Sequence, residues 1–561
     1  MSLLKRLKSS RLAILILLFV ISIPTFIKMA RPGYFPMHDD MQAMRVLQLD
    51  RCVNDGQLPC RWVPDMGYGY GYPQFIFYSP LPYYSMEAFH LLGFSLLDSV
   101  KIVMSLGFLL AGMTMYLLGS SLWGRAGGLL SAILYLYAPY RASDLYSRGA
   151  VAEFTAMVFL PLIFYAIREF IKTKQTKNLI ILSLSYAGLL LSHNLTTLAF
   201  TPLAAIWGLF YLYHYRRFRL LPHLIFSALL GVGLSAFFIL PAFFEKPFVH
   251  LETMTVGYFN YLAHFVSLGQ LFFSSFWGFG SSELGPYDDL GFAIGTLHWF
   301  LLGIALIFAL LRFRRQRQYA LPVLLLGLFF ISSVFMTHQR SVFIWNNLPF
   351  LKYFQFPWRF LVIATFASSA AGGSLLAFTS HLPTRKWLLV TLSFLVILLN
   401  FNFFRPQSWI NITDQEKFSG PSWDKQMTIS IFDYLPIFAN MPPSQPAPNQ
   451  PELLEGSALV TDYQKGSHWQ SGKLEVSSDQ ATIRLPLFYY PGFTLTLDNK
   501  THPLTYDNPL GLITLTAPQG DYSFQVKLES TPIRRFSDIL TLASLACLII
   551  FSIRVYNQKK N

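Results

Sequence analysis

Apolar runs recur along the chain near residues 11–29, 99–121, 126–141, 150–167, 178–193, 195–213, 221–243, 293–311, 320–337, 359–380, 387–404 and 536–553. A helix needs roughly 20 residues to cross a hydrocarbon core of about 30 Å. The runs therefore predict an α-helical polytopic membrane protein of about 12 spans. Short basic tracts separate them: Lys5 to Arg11, Arg125, Arg168 to Lys177, Arg216 to Arg219, Arg312 to Arg317, Arg385 with Lys386, and Arg554 to Lys560. With the N-terminus in the cytoplasm, threading puts every tract on the same side, as the positive-inside rule requires. Leu81 to Leu97 is also apolar enough to cross. Counting it would push the tract after Arg168 outside, so it reads as an interfacial or re-entrant helix.

The pattern changes at 405–535. Its start, MPPSQPAPNQ, reads as linker. KLEVSS, ATIRLPLFYY, GFTLTLD, GLITLTA and YSFQVKLE then alternate apolar and polar positions between turn residues. Period-two alternation of this kind predicts an antiparallel β-sandwich. The expected division is a transmembrane domain over 1–404, an extracytoplasmic β-sandwich domain over 405–535, and a final helix with a cytoplasmic tail over 536–561. The outer face would also carry the first loop (30–98), turns at 141–149 and 192–194, and loops at 244–292 and 337–358. Within the longer of these, Tyr258 to Trp277 is aromatic and amphipathic and is expected to lie along the membrane surface.

Composition agrees. Only 13% of the 561 residues are charged, against about a quarter in ordinary soluble domains. The net charge of +14 raises nucleic acid as a partner, but the cations sit in tracts between spans rather than on one basic face, which argues against it. KRLKSSR before the first apolar run looks like a signal peptide, yet no small-residue cleavage site follows, so the run is taken as an uncleaved span. Cys52 and Cys60 lie in the first outer loop and Cys547 in the last span. An oxidising compartment favours a Cys52–Cys60 disulfide. Zinc is disfavoured, since no second cysteine pair or histidine cluster completes a site.

The first outer loop holds the most chemistry. Asp39 and Asp40 follow His38, just outside the first span. An ionised Asp there suits a general base for an acceptor hydroxyl. Alternatively, the pair suits a divalent cation (Mg or Mn) holding a phosphate-linked donor. The structural reading is a helix start, with His38 or Asp39 as N-cap and Asp40 in the first turn. Asp144, Arg148 and Glu153 flank the next outer turn; ionisable groups at membrane depth mark function or satisfy one another as an ion pair. His193, with Asn194, lines a cleft or caps a helix. Arg359 suits a lipid-linked phosphate, or anchors the interface with Trp358. Glu245, Lys246, His250, Asp288, Asp289, His338, Arg340 and Lys352 are further outer-loop candidates, and the Tyr and Gly run from Tyr68 to Tyr78 is either a stacking floor for sugars or part of an aromatic belt.

Several runs carry a resemblance: HDD at 38–40, GQLPCRWVPDMGYGYGYPQFIFYSPLPYY at 56–84, APYRASDLYSRGAVAE at 138–153, LSHN at 191–194, YFQFPWRF at 353–360, DYLP at 433–436 and FYYPGFTLTLDNK at 488–500. Over nearly its whole length the chain resembles the GT-C superfamily of integral membrane glycosyltransferases. It is most similar to bacterial membrane proteins labelled 6-pyruvoyl-tetrahydropterin synthase-related and to YfhO-type proteins. The resemblance implies a polyprenyl-phosphate sugar donor, inversion at the anomeric carbon, and a first-loop acid as base, hence Asp39 or Asp40. It maps a second acidic element onto Asp144 or Glu153. It does not extend to pterin chemistry, since no histidine triad with zinc spacing is present, and no WWDYG-type motif supports a peptide acceptor.

The expected function is sugar transfer to a glycan, lipid or protein acceptor at the extracytoplasmic face of a bacterial plasma membrane. Catalysis would rest on Asp39 or Asp40, with His38, Asp144, Arg148, Glu153, His193 and Arg359 binding substrate. The competing readings are a lipid-linked glycan transporter or flippase and a catalytically silent glycan-binding scaffold. Transporters place ionisable groups at the bilayer midplane on broken helices; here most lie at the outer ends of spans, which favours the enzyme.

Overall fold

A computed structural model describes residues 11–557, apart from Pro286 and Ser380. Most of the first basic tract and the end of the last lie outside the described residues.

Eight described helices are long and apolar enough to cross a membrane: Leu12–Ala30, Leu96–Leu136, Val151–Thr173, Asn194–His214, Arg317–Thr337, Pro357–Phe378, Leu382–Phe403 and Pro532–Val555. A ninth follows if Phe218–Leu234 and Ala236–Phe244, bent by 75° at their junction, are one span. The expected count of about twelve is thus not reached by length and composition. Two of the apolar runs fall within the single 41-residue stretch Leu96–Leu136, broken where Gly124 adopts a φ of +76°, a value other residues rarely take. Two more, Lys177–Ser192 and Thr296–Leu311, form helices of 16 residues, just short of a full crossing. Leu81–His90 is a ten-residue helix, too short to span.

The basic tracts between helices meet one another. Arg217 donates to the carbonyls of Ile171 and Lys172 at 2.6 and 2.7 Å, and Arg312 to that of Phe378. The loops at the other helix ends converge with the segment after residue 405.

That segment wraps the first loop before the sheet begins. Tyr34 and Ile410 form a β-bridge, and Tyr68 donates its N–H to the Met427 carbonyl at 3.0 Å. The strands β1 (Glu452–Glu455), β2 (Ala458–Lys465), β3 (Trp469–Phe488), β4 (Phe493–Leu497), β5 (Lys500–His502) and β6 (Leu512–Leu528) form one antiparallel sheet. Its order is β1-β3-β6-β4-β5, with β2 also on β3. The alternation anticipated two packed sheets; instead β3 and β6, of 20 and 17 residues, run through a single one. The register breaks between Val476 and Gln480. There the buried positions of β3 pass from even numbers (Leu474, Val476) to odd ones (Ala481, Ile483, Leu485), so a bulge turns the apolar side over.

One side of the sheet domain is bolted to the helices. Arg534, at the start of the last helix, donates to Glu245 Oε2 from Nη2 at 2.8 Å and from Nε at 3.2 Å. Thr531 and Tyr490 donate to the same carboxylate. Cys52 and Cys60 are disulfide-bonded, and the loop they close carries Asp55, which accepts from Ser467 N–H, Ser467 Oγ and Trp469 Nε1. Arg61 pairs with Asp538 at 2.6 Å.

Candidate functional site

The HDD turn is held by backbone, not by helix capping. His38 N–H donates to the Ser147 carbonyl at 3.0 Å and Asp39 N–H to that of Arg148 at 2.9 Å. Gly149 makes this approach possible: its φ is +69°, and a Cβ there would sit 2.5 Å from Met37 Sδ. The helix then starts at Gln42, with Met41 as its N-cap and no side-chain cap. Neither His38 nor Asp39 caps it, contrary to the structural reading of the sequence: the helix begins later than expected, and the Asp39 carboxylate accepts from the side chains of Gln42, Arg45 and Tyr78 instead of from the helix's first N–H groups.

The two aspartates diverge. Asp39 Oδ2 accepts from Arg45 Nη1 at 2.8 Å, Gln42 Nε2 at 3.0 Å and Tyr78 Oη at 3.1 Å. Its Oδ1 has no hydrogen-bond partner among the described residues, and the side chain is 31% exposed. Arg45 lies over the Tyr78 ring, 4.1 Å from its centroid. Burial holds the Tyr83 hydroxyl beside it up at about 12, so it stays a neutral donor, here to Gln42 Oε1 at 2.6 Å. Asp40 instead takes Lys417 Nζ at 3.0 Å, from the segment leading to the sheet, while its Oδ1 is buried without a partner. Burial pushes the Asp40 carboxyl up, against the pull of Lys417.

Arg148 joins the second acidic element. It bonds Asp144, Glu153 at 3.2 Å and Tyr140 Oη at 3.2 Å, with its guanidinium 4.3 Å from the centroid of the Trp358 ring. Tyr140 donates to Glu153 Oε1 at 2.6 Å. Burial, then the charge of Glu153, raise the Asp144 carboxyl well above its ordinary range. Arg359 Nε stands 3.6 Å from Glu153 Oε2 without a hydrogen bond of its own; only its Nη1 is used, on Phe354 O and Gln355 Oε1. His193 caps the helix Asn194–His214 through Nδ1, on Thr196.

These groups surround one open cavity of about 660 Å³. Of the residues predicted as a site, His38, Asp39, Arg148, Glu153, His193 and Arg359 line it. Asp40 and Asp144 do not: Asp40 turns to Lys417, and Asp144, fully buried, backs Arg148. Lys246 also lines the cavity. Glu245 is taken by Arg534, His250 pairs with Glu252 at 2.6 Å, and Asp288 and Asp289 line a separate hollow of about 320 Å³. His338, Arg340 and Lys352 lie off the cavity. Of the run from Tyr68 to Tyr78 only its end, Phe77 and Tyr78, reaches it; Tyr70 packs on Phe488 and Tyr72 on Tyr434.

Three lining residues had no individual signal in the sequence: Arg45, Asp433 and Ser282. Arg45 is hidden in an amphipathic helix. Asp433 stands in a linker-like segment about 400 residues beyond Asp39, inside the DYLP run. Burial raises its carboxyl to about 6. Ser282 donates to His264 Nδ1 at 2.7 Å and accepts from Trp358 Nε1 at 3.3 Å, which steadies the ring beneath Arg148.

A divalent cation does not fit the aspartates. Each carboxylate already faces its own cation, Arg45 or Lys417, and among the described residues no group of three or more His, Cys, Asp or Glu could hold a metal ion.

Fold and cavity define a polytopic α-helical membrane protein that gathers charged side chains into one open hollow beside an antiparallel sheet. Residues 75–405 match the family described as 6-pyruvoyl-tetrahydropterin synthase related domain; membrane protein, and the chain belongs to that family. An uncharacterized protein of Lactococcus lactis subsp. cremoris (strain MG1363) is 25% identical over 226 residues, 38% of this chain and 35% of the relative. The chain thus spans about a third of the length of the curated relative it matches. Among solved structures it is similar to arabinofuranosyltransferase AftD from Mycobacteria (TM-score 0.48, 12% identity, 72% of this chain and 28% of that one). It is also similar to oligosaccharyltransferase AglB from Archaeoglobus fulgidus, in complex with an inhibitory peptide and a dolichol-phosphate (0.39, 12%, 72% and 56%), and to ArnT from Cupriavidus metallidurans bound to undecaprenyl phosphate (0.38, 11%, 68% and 63%). At these values the likenesses carry no argument about activity.

Proposed function

We propose that this protein is a GT-C-type membrane glycosyltransferase, moving a sugar from a polyprenyl-phosphate donor to an extracytoplasmic cell-envelope acceptor. The observation that carries the reading is the shared cavity: a carboxylate with an unbonded oxygen, Asp39 Oδ1, faces the same hollow as Arg359, whose guanidinium is only partly used. Asp39 is the general base. Arg45, Tyr78 and Gln42 hold its Oδ2, which fixes Oδ1 toward the acceptor. Oδ1 takes the acceptor hydroxyl proton as that oxygen bonds to the anomeric carbon. The bond from that carbon to the phosphate oxygen breaks on the far face, and its electron pair leaves with the polyprenyl phosphate. Arg359 and Lys246 neutralise the charge that grows there. Glu153 and Arg148 position Arg359, and the apolar residues Met254, Phe259 and Phe356 at the cavity's edge suit a lipid chain.

The test is transfer by the purified protein from a panel of polyprenyl-phosphate sugars, comparing wild type with Asp39→Asn and Asp40→Asn. Asp39→Asn is expected to lower turnover by about 10²–10⁴-fold, the usual worth of a general base, and Asp40→Asn far less. Equal turnover in wild type and Asp39→Asn would end the base assignment.

A further inference from the structure

The charged lining falls into two groups. Arg148, Arg359, His193 and Glu153 interact with one another, with Lys246 also on the cavity. Asp433, Tyr434, Phe77 and Tyr78 form the second group, around Arg45. Asp39 sits where the groups meet, its N–H on the Arg148 carbonyl and its carboxylate on Arg45. The second group is built from both ends of the chain. The Tyr72 hydroxyl donates to the Ser430 carbonyl at 2.5 Å and accepts from Tyr434 N–H at 2.6 Å, so the first loop pins the segment carrying Asp433. Phe77 stacks on Tyr434 with ring centroids 5.3 Å apart. Asp433 is partly open to the cavity, and no cation pairs with it among the described residues.

An unpaired carboxylate beside flat aromatic surface suits one ligand class well. A carboxylate accepts two hydroxyl donors side by side, and an aromatic face packs against the C–H face of a sugar ring. Anionic groups are disfavoured there, because Asp39 and Asp433 share the site. We propose that this second group is the acceptor subsite and that it takes a neutral sugar, whose hydroxyls donate to Asp433 while its ring lies against Phe77 and Tyr434. The inference rests on the glycosyltransferase reading and names the acceptor class that reading leaves open.

The experiment is saturation-transfer NMR on the full-length protein in lipid nanodiscs, with neutral disaccharides, their 6-phosphates and short uncharged peptides as probes. Neutral disaccharides are expected to bind wild type, about tenfold more weakly to Asp433→Asn, and with partial recovery in Asp433→Glu. Arg359→Gln, in the first group, is expected to leave their binding unchanged. Equal binding to wild type and Asp433→Asn would overturn the proposal, as would binding of only the phosphorylated sugars or the peptides. Failure of transfer from every polyprenyl-phosphate sugar, with Asp433-dependent disaccharide binding intact, would remove the enzymatic reading and still support a neutral-sugar site.

Discussion

Two buried clusters of charge tie distant parts of this chain together, and they are built to different ends. At the joint between sheet and helices, Glu245 and Arg534 are 2% and 0% exposed. Both carboxylate oxygens of Glu245 and all three guanidinium nitrogens of Arg534 are hydrogen-bonded. At the cavity, Asp39 leaves Oδ1 free, and the Nε atoms of Arg45 and Arg359 are buried without hydrogen bonds. Burial alone does not separate structural from chemical ionic groups. A closed, saturated pair locks a fold, because a partly satisfied one costs stability. An open pair with spare valences beside a hollow is what a substrate can complete.

The joint is expected to be the more sensitive of the two clusters. Arg534→Met leaves Glu245 buried without its cation, and removing one member of a buried pair typically costs about 3–5 kcal/mol. Thermal unfolding in detergent is expected to show that loss. Asp39→Asn is expected to shift the same transition much less, since its side chain meets cavity water. Equal shifts for the two variants would mean that the cavity pair is also a fold lock.

The disulfide sharpens the picture at lower amplitude. It closes the loop whose Asp55 docks on Ser467 and Trp469. Replacing both Cys52 and Cys60 with Ser is expected to lose about 2–3 kcal/mol, the chain-entropy value for so short a loop. Limited proteolysis is expected to cut between residues 52 and 60 in that variant before wild type. An unchanged cleavage pattern and melting transition would assign the docking to hydrogen bonds alone.

The helical body was legible because its signal is local: apolar length and basic flanks are readable span by span. The cysteine pair was legible from compartment and spacing. What failed to show was whatever depends on partners far along the chain. Asp39 and Asp40 are neighbours with one chemistry, and only Arg45 and Lys417, 6 and 377 residues away, give them different directions. The alternation in β3 was readable, but the parity switch after Val476 belongs to its pairing with β6. Asp433 opens the DYLP run that carries part of the family resemblance, but nothing in its local pattern gave it a role or a place in the cavity. It enters the cavity only because Tyr72 holds the segment that follows Ser430.

The smallest expected effect tests whether the open cluster titrates as a unit. The Tyr434 hydroxyl, pushed up by burial and by Asp433, stays neutral near neutral pH. Burial raises the Asp433 carboxyl to about 6 and outweighs the groups that face it: Arg45 and a hydrogen bond from Ser430 favour its ionised form, and Asp39 disfavours it. An acid raised in this way loses its charge as pH falls through that value, so neutral-sugar affinity is expected to hold above about pH 7 and to decline below about 6. Binding titrations between pH 5 and 8 in wild type should show that limb, and Asp433→Asn should flatten it. Loss of affinity on raising the pH instead would mean that the protonated carboxyl, acting as a donor, is the binding form. The joint offers a control on the same axis: Glu245 meets no cavity, so its neighbourhood has no reason to answer to disaccharide at any pH in this window.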